Sequence, residues 1–282
     1  MSEIRRTARR GAGWLTGLLA VLAALFLVPI LLVFVNSFKS RLYISGVPFA
    51  LPNRETFVGL LNYRTGLTTA GFGAAFGRSV FITVASVLLI VLGTSMTAWY
   101  LTRVRVWWTQ ALYYLFVFSM IVPFQMVMFT MTYVVGQVGL NTVIGIVPVY
   151  LGFGAGLSVF MLAGFVKSIP LDIEEAATID GCNPLQCFFR VVFPVLRPTA
   201  VTVAILNAMW VWNDYLLPYL VLGTGKKTVP VAIQIAMQGA YGSTDYGGLM
   251  AMLVLAVIPI IAFYAVGQKY IVEGVMAGAV KG

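Results

Sequence analysis

Apolar residues fill this chain in long runs, and polar positions collect in the short segments between them. A bilayer core calls for about 20 consecutive apolar residues per helix. Six stretches meet that length: Trp14–Val35, Ser79–Leu101, Gln110–Val134, Thr142–Phe165, Thr199–Leu222 and Gly247–Gly267. The pattern predicts an all-α membrane protein of six spanning helices, one domain over residues 1–282. The first run follows Arg5, Arg6, Arg9 and Arg10 but is too long for a signal peptide. Val35-Asn36-Ser37-Phe38 is also a poor cleavage site, so the run reads as an uncleaved anchor. The loop from Phe38 to Arg78 is rich in Pro, Gly, Asn and Thr and predicts a small exterior lobe. Thr228–Met237 is apolar but too short to cross, and reads as interfacial or re-entrant.

Composition agrees with lipid as the main solvent. The chain is 60% apolar and only 10% charged, too little charge to cover a soluble surface. Its net charge of +9 is not gathered on one basic face, which argues against nucleic-acid binding. The cations lie between apolar runs and report orientation instead. With both termini inside, eleven Lys and Arg fall on the inner side and seven on the outer. Arg103, Arg105, Lys167, Arg190, Arg197, Lys269 and Lys281 are then inner. Cys182 and Cys187 are too few for a disulfide framework or a zinc site and read as reduced residues in a cytoplasmic segment.

The segment from Lys167 to Arg197 carries the most chemistry. Asp172 is a suitable N-cap, and Glu175, three residues on, completes the carboxylate half of a capping box. Glu174 and Glu175 would sit in the first turn, where the helix dipole favours acids. Gly181 is placed to end this short helix in the left-handed conformation. A second helix follows, with Asn183 as cap, Pro184 in the first turn and Gln186 closing a box. Leu185, Phe188, Phe189, Val192 and Phe193 form one apolar stripe, and Pro194 stops the run. On the first helix Ile173, Ala176 and Ala177 fall near Asp180. Small side chains beside acids suit docking against a basic groove of a soluble partner. A plain surface helix capped by acids fits the same residues.

Glu175-Ala176-Ala177, three residues, Gly181, nine residues and Val191-Val192-Phe193-Pro194 resemble the EAA motif of ABC-importer permeases. Val191 and Phe193 depart conservatively from that family's Ile-x-Leu-Pro, and Cys182 stands where a small residue is usual. Trp212-Asn213-Asp214 resembles an element of sugar permeases, and the ending Gly274 to Gly282 resembles their tail. The likeness extends over nearly the whole chain and is greatest to the shorter permease of maltose-type systems. It implies a type I permease fold in the bacterial cytoplasmic membrane, with a coupling helix between spans four and five. It further implies a second homologous permease, two copies of a cytoplasmic ATPase that uses ATP and Mg, and an extracytoplasmic sugar-binding protein. Glu174, Glu175, Ala176, Ala177, Asp180, Gly181 and Pro194 would serve the coupling, and the tail through Lys281-Gly282 would add a contact.

Polar groups at membrane depth are costly and invite a functional reading. Asn207, Trp210, Asn213 and Asp214 lie within roughly a 120° sector of a helix, with Trp212 opposite. Hydrogen-bonding groups and a flat aromatic face suit an uncharged sugar, and Gln125 is a further candidate. Asn213 and Asp214 equally suit ties between neighbouring helices. Pro123, Pro148 and Pro218 are candidate kinks. Gly152-Phe153-Gly154-Ala155-Gly156 lies inside an apolar run with no strand before it, so helix packing is expected rather than a nucleotide loop.

The chain contains no histidine, which removes the commonest general base and any Ser–His–Asp triad. There is no Walker motif, so energy would come from another polypeptide. The expectation is a non-enzymatic permease subunit that binds no cofactor of its own. Uptake of a polyol or phosphorylated glycerol is the alternative, and a stand-alone secondary transporter a more distant one.

Overall fold

The computed structural model describes the backbone of residues 2–68, 71–238 and 244–279. Side chains are described for these residues apart from 2–12, 266 and 269–279. The four leading arginines, Lys269 and the tail elements through Gly282 therefore lie outside the described side chains.

In chain order the helices are α1 (Ser2–Asn36), α2 (Arg41–Gly46), α3 (Leu61–Thr68), α4 (Phe72–Arg103), α5 (Trp107–Ser119) and α6 (Phe124–Gln137). They continue with α7 (Ile146–Val166), α8 (Leu171–Ile179), α9 (Pro184–Cys187), α10 (Phe193–Asn213), α11 (Leu216–Leu222), α12 (Val229–Gln238) and α13 (Tyr246–Ala279). Among the described residues, five helices are long and apolar enough to cross a membrane, and α5 with α6 makes a bent sixth candidate.

The chain divides into two compact units. One comprises residues 1–72 and 233–257. In it the lobe after α1 is tied by backbone and amide bonds. Asn62 donates to the carbonyls of Ser37 and Lys39, at 2.8 Å each. Lys39 is buried, and its ammonium donates to the carbonyl of Val47 at 3.0 Å. Asn36 donates to the Pro48 carbonyl. Buried donors that find carbonyls in this way avoid the desolvation cost of being unpaired. The Gly13–Asn36 part of α1 buries none of its most apolar window inside the protein. Such a surface is left for lipid or another subunit.

The other unit, residues 73–232 and 258–282, holds the packed core. α7 is its centre, packed against α5, α10 and α11. Gly154 and Gly156 make this possible. A Cβ on Gly154 would meet Ile90 at 2.7 Å and Asn207 at 2.8 Å, and one on Gly156 would meet Phe116 O at 2.8 Å. The glycine-rich run is thus a packing surface, as helix interfaces in membranes favour.

Prolines bear on the predicted spans in different ways. The third run is not straight: α5 and α6 meet at 108°. Pro123 sits four residues after Ser119, the last residue of α5, and its ring excludes the carbonyl geometry a continuing helix needs. Pro148, in contrast, falls in the first turn of α7, where its missing N–H costs nothing. The fifth run begins earlier than Thr199 and breaks before Leu222. Pro194 does not stop α9, because residues Phe188–Val192 form a π turn and the rod continues into α10. Phe193 donates to Phe188, an i to i+5 bond. The wider turn makes room for the proline that follows. The rod then ends at Asn213, for reasons that involve Asp214.

Candidate functional site

The acidic elbow is built from α8, α9 and the π turn, which pack together. α8 starts after Pro170, which is extended at φ −58 and ψ 138. Asp172 is therefore not the N-cap. It lies within the first turn, no side-chain cap bond forms, and Glu175 closes no box. A proline at the cap position supplies fixed extended geometry without a side-chain acceptor. The C-terminal end follows the expectation. Gly181 adopts φ +84, its N–H bonds Thr178 O, and Cys182 N–H bonds Ala177 O. These two bonds are the Schellman arrangement, which needs a left-handed residue and so favours glycine. Asn183 and Gln186 then close a reciprocal capping box, at 2.9 and 3.0 Å. The elbow's angle is thus specified at both of its inner ends.

The two adjacent glutamates face opposite ways. Glu174 is 7% exposed and is held inside the chain. Arg103 donates to its Oε1 through Nε at 2.9 Å and Nη2 at 2.6 Å, and Trp99 Nε1 donates to Oε2 at 2.9 Å. Arg103 also donates to Ile169 O at 2.9 Å, so one guanidinium ties the end of α4 to both sides of the entry into α8. Glu175 is exposed, with Ile173, Ala176 and Asp180. Ala177 turns inward against Val166, Phe188 and Leu196 instead of joining that face. Beside the exposed face lies a cleft of about 490 Å³, lined by Trp99, Leu171, Glu175, Ile179, Cys182 and Pro184 among others. Ile179 is 86% exposed at its edge.

The expected apolar stripe of α9 is divided. Phe188 and Val192 are buried, whereas Leu185 and Phe189 are exposed and Phe193 is half-buried. The extra residue in the π turn shifts the helical phase, so one continuous stripe does not form. Pro194 is exposed at the start of α10 and acts on the elbow only through that backbone.

The second polar feature is the break after α10. Asp214 is extended, at ψ 123, and α11 starts two residues later. Pro218 lies four residues beyond Asp214, so an unbroken helix would press its ring on the Asp214 carbonyl. The carboxylate then caps the new helix. Oδ1 accepts from Leu216 N at 3.0 Å, and Oδ2 accepts from Tyr150 OH at 3.0 Å. Trp210 stands edge-on to Tyr150, with centroids 5.4 Å apart. Tyr150 is fully buried in α7 and was not among the sequence candidates. The available signal was a lone phenol inside a predicted span, where a buried hydroxyl must find a partner.

Of the four span-five candidates, Asn207, Trp210 and Asp214 all face α7, through Ser158 and Tyr150. Trp210, Asn213 and Asp214 cluster at the break, with Trp210 40% exposed and Asn213 exposed. Asn207 is buried and donates to Ser158 Oγ at 3.1 Å and to Val203 O at 2.9 Å. It joins α10 to α7. Trp212 packs on the other side, edge-on to Phe76 at 5.5 Å. Gln125 is exposed in the first turn of α6.

Comparison with known proteins gives one consistent family. Residues 90–276 match the model for the binding-protein-dependent transport system inner membrane component. A probable starch degradation products transport system permease of Thermoanaerobacterium thermosulfurigenes is 38% identical over 95% of this chain and 96% of its own. A multiple sugar-binding transport system permease of Streptococcus mutans is 35% identical over 95% and 96%. The solved structure of a bacterial ABC transporter involved in alginate import shares the fold, with a TM-score of 0.79 and 24% identity over 94% of this chain and 98% of that one. With a matched segment that takes in α8, the π turn and α10, this chain belongs to the family of inner membrane components of binding-protein-dependent transport systems.

Proposed function

We propose that the chain is one permease subunit of an ATP-driven importer of a sugar or oligosaccharide. The names of its relatives support the solute class: starch degradation products, multiple sugars and diacetylchitobiose. The α8 elbow is the observation that carries the coupling role. Its inner acid is already satisfied, so Glu175, Asp180, Ile173 and Ala176 are left for a partner. A basic residue of a cytoplasmic ATPase would pair with Glu175, while Ala176 lets its backbone approach. That ATPase, in two copies, would bind ATP and Mg. A second homologous permease would complete the pathway, an extracytoplasmic binding protein would deliver the solute, and both termini would be cytoplasmic.

On this reading Trp210, Asn213 and Asp214 offer an aromatic face and polar groups at a helix break. Breaks of this kind are tolerated at membrane depth where they line a cavity or are covered by protein. One relative, an osmoprotective compounds uptake permease of Synechocystis at 28% identity, favours a second solute class of small compatible solutes. ATP turnover of the purified complex, measured across mono- and oligosaccharides and such solutes, separates the two. The docking role is tested by Glu175→Lys. The variant should remain membrane-inserted and lose co-purification of the ATPase, and an unchanged complex would count against docking.

A further inference from the structure

A second cleft is formed by the ends of α4 and α7 and the start of α5. It measures about 340 Å³ and is lined by Thr102, Arg105, Gln110, Tyr113, Tyr114 and Lys167 among others. Two cations, the hydroxyls of Tyr113 and Tyr114 and the amide of Gln110 line it, and no acid does; the Thr102 hydroxyl is already donated to Ala98 O at 2.7 Å. The Lys167 ammonium stands 5.3 Å from the centre of the Tyr113 ring, which holds it at the cleft without neutralising it. Among the described residues neither Arg105 nor Lys167 has a carboxylate partner, in contrast to Arg103, which is committed to Glu174.

The wall of the cleft is fixed. Thr109 is buried and its hydroxyl donates to Val104 O at 2.6 Å, which pins the short link that carries Arg105. Tyr114, which lines the cleft, is exposed, as is Trp107 at the start of α5. Along α5, Leu112, Leu115 and Phe118 continue as exposed apolar residues. Positive charge, hydrogen-bond donors and exposed Trp and Tyr at the end of spanning helices are the features of the headgroup region.

We infer that this cleft binds the phosphate of an anionic phospholipid headgroup, with its acyl chains along α5. Arg105 and Lys167 would each contact the phosphodiester, and the Gln110 amide a remaining headgroup oxygen. A zwitterionic headgroup brings its own cation toward Lys167 and is disfavoured. The inference rests on the importer reading only for the leaflet, which would be the cytoplasmic one.

The full chain with its partners is placed in nanodiscs of phosphatidylcholine carrying a minor fraction of photoactivatable phosphatidylglycerol. Labelling is mapped on this chain. Wild type should be labelled around residues 101–114, and the Arg105→Gln/Lys167→Gln double variant about tenfold less. Arg190→Gln, an exposed cation of the elbow, should label like wild type. Equal labelling of the double variant, equal labelling by a phosphatidylcholine probe, or displacement by inorganic phosphate at constant ionic strength would each overturn the inference. Labelling is read on this chain itself, so its failure is distinct from failure of the Glu175 docking test. Gln keeps most of each side-chain stem at an exposed position, and a monodisperse elution profile of the variant complex checks that the fold is retained.

Discussion

Glu174 and Glu175 are chemically identical neighbours, and one helical step gives them different work. Glu174 is buried with two nitrogens of Arg103 and the indole of Trp99 on its oxygens. Arg103→Gln strips the charged donor and leaves a buried carboxylate with one partner. Thermal unfolding of the purified protein should register a loss of about 2–3 kcal/mol. Glu175→Gln removes an exposed charge and should stay within about 0.5 kcal/mol in the same assay. Equal losses would mean that both acids are structural. The sequence showed two acids in a first turn but not which one turned inward, because Trp99 and Arg103 lie on α4, more than seventy residues earlier. Arg103 was legible only as an orientation charge. At the break, Trp210→Leu or Asp214→Leu should lower transport in reconstituted vesicles while ATPase co-purification persists. Full uptake by both would leave these residues structural.

At the scale of elements, what is encoded locally was legible and what depends on helical phase was not. Gly181, Asn183, Pro184 and Gln186 act within a few residues of one another, and the elbow's turn and second cap follow the sequence closely. Asn183→Ala should cost about 1 kcal/mol through loss of the cap. Gly181→Ala forces a Cβ into φ +84 and should cost about 1–2 kcal/mol, read by the same melts. The π turn was not legible, since nothing in the residues of Phe188–Val192 demands it without Pro194 and the packing of Phe188. Pro194→Ala restores an N–H and relieves the ring, which allows an ordinary turn. We expect that change to rotate α8 and α9 relative to α10 and to lower solute-stimulated ATP turnover with the complex still assembled. Unchanged stimulation would show that the π turn has no role in transmission. Prolines marked the breaks at Ser119 and Asp214 in principle, but hydropathy alone ran the spans through them.

For the molecule as a whole, hydropathy marks the apolar segments, five unbroken helices and one bent pair among the described residues, because lipid imposes a length requirement that few other environments do. It could not say what covers them. In this chain the most apolar stretch of α1 is exposed, and so is Trp107 of α5, so lipid or other subunits are left to cover them. Its solute path and its energy source are likewise shared with other polypeptides on the proposed reading. What the chain supplies alone is a rigid elbow with one acid locked inside and another presented outward. The most direct test is a photocrosslinking residue at Ala176, which is exposed beside Glu175, in membranes of cells that produce the intact complex. The expected product is a covalent adduct with a cytoplasmic ATP-hydrolysing subunit, lost on Glu175→Lys. An adduct with lipid or an extracytoplasmic protein, and none with an ATPase, would contradict it.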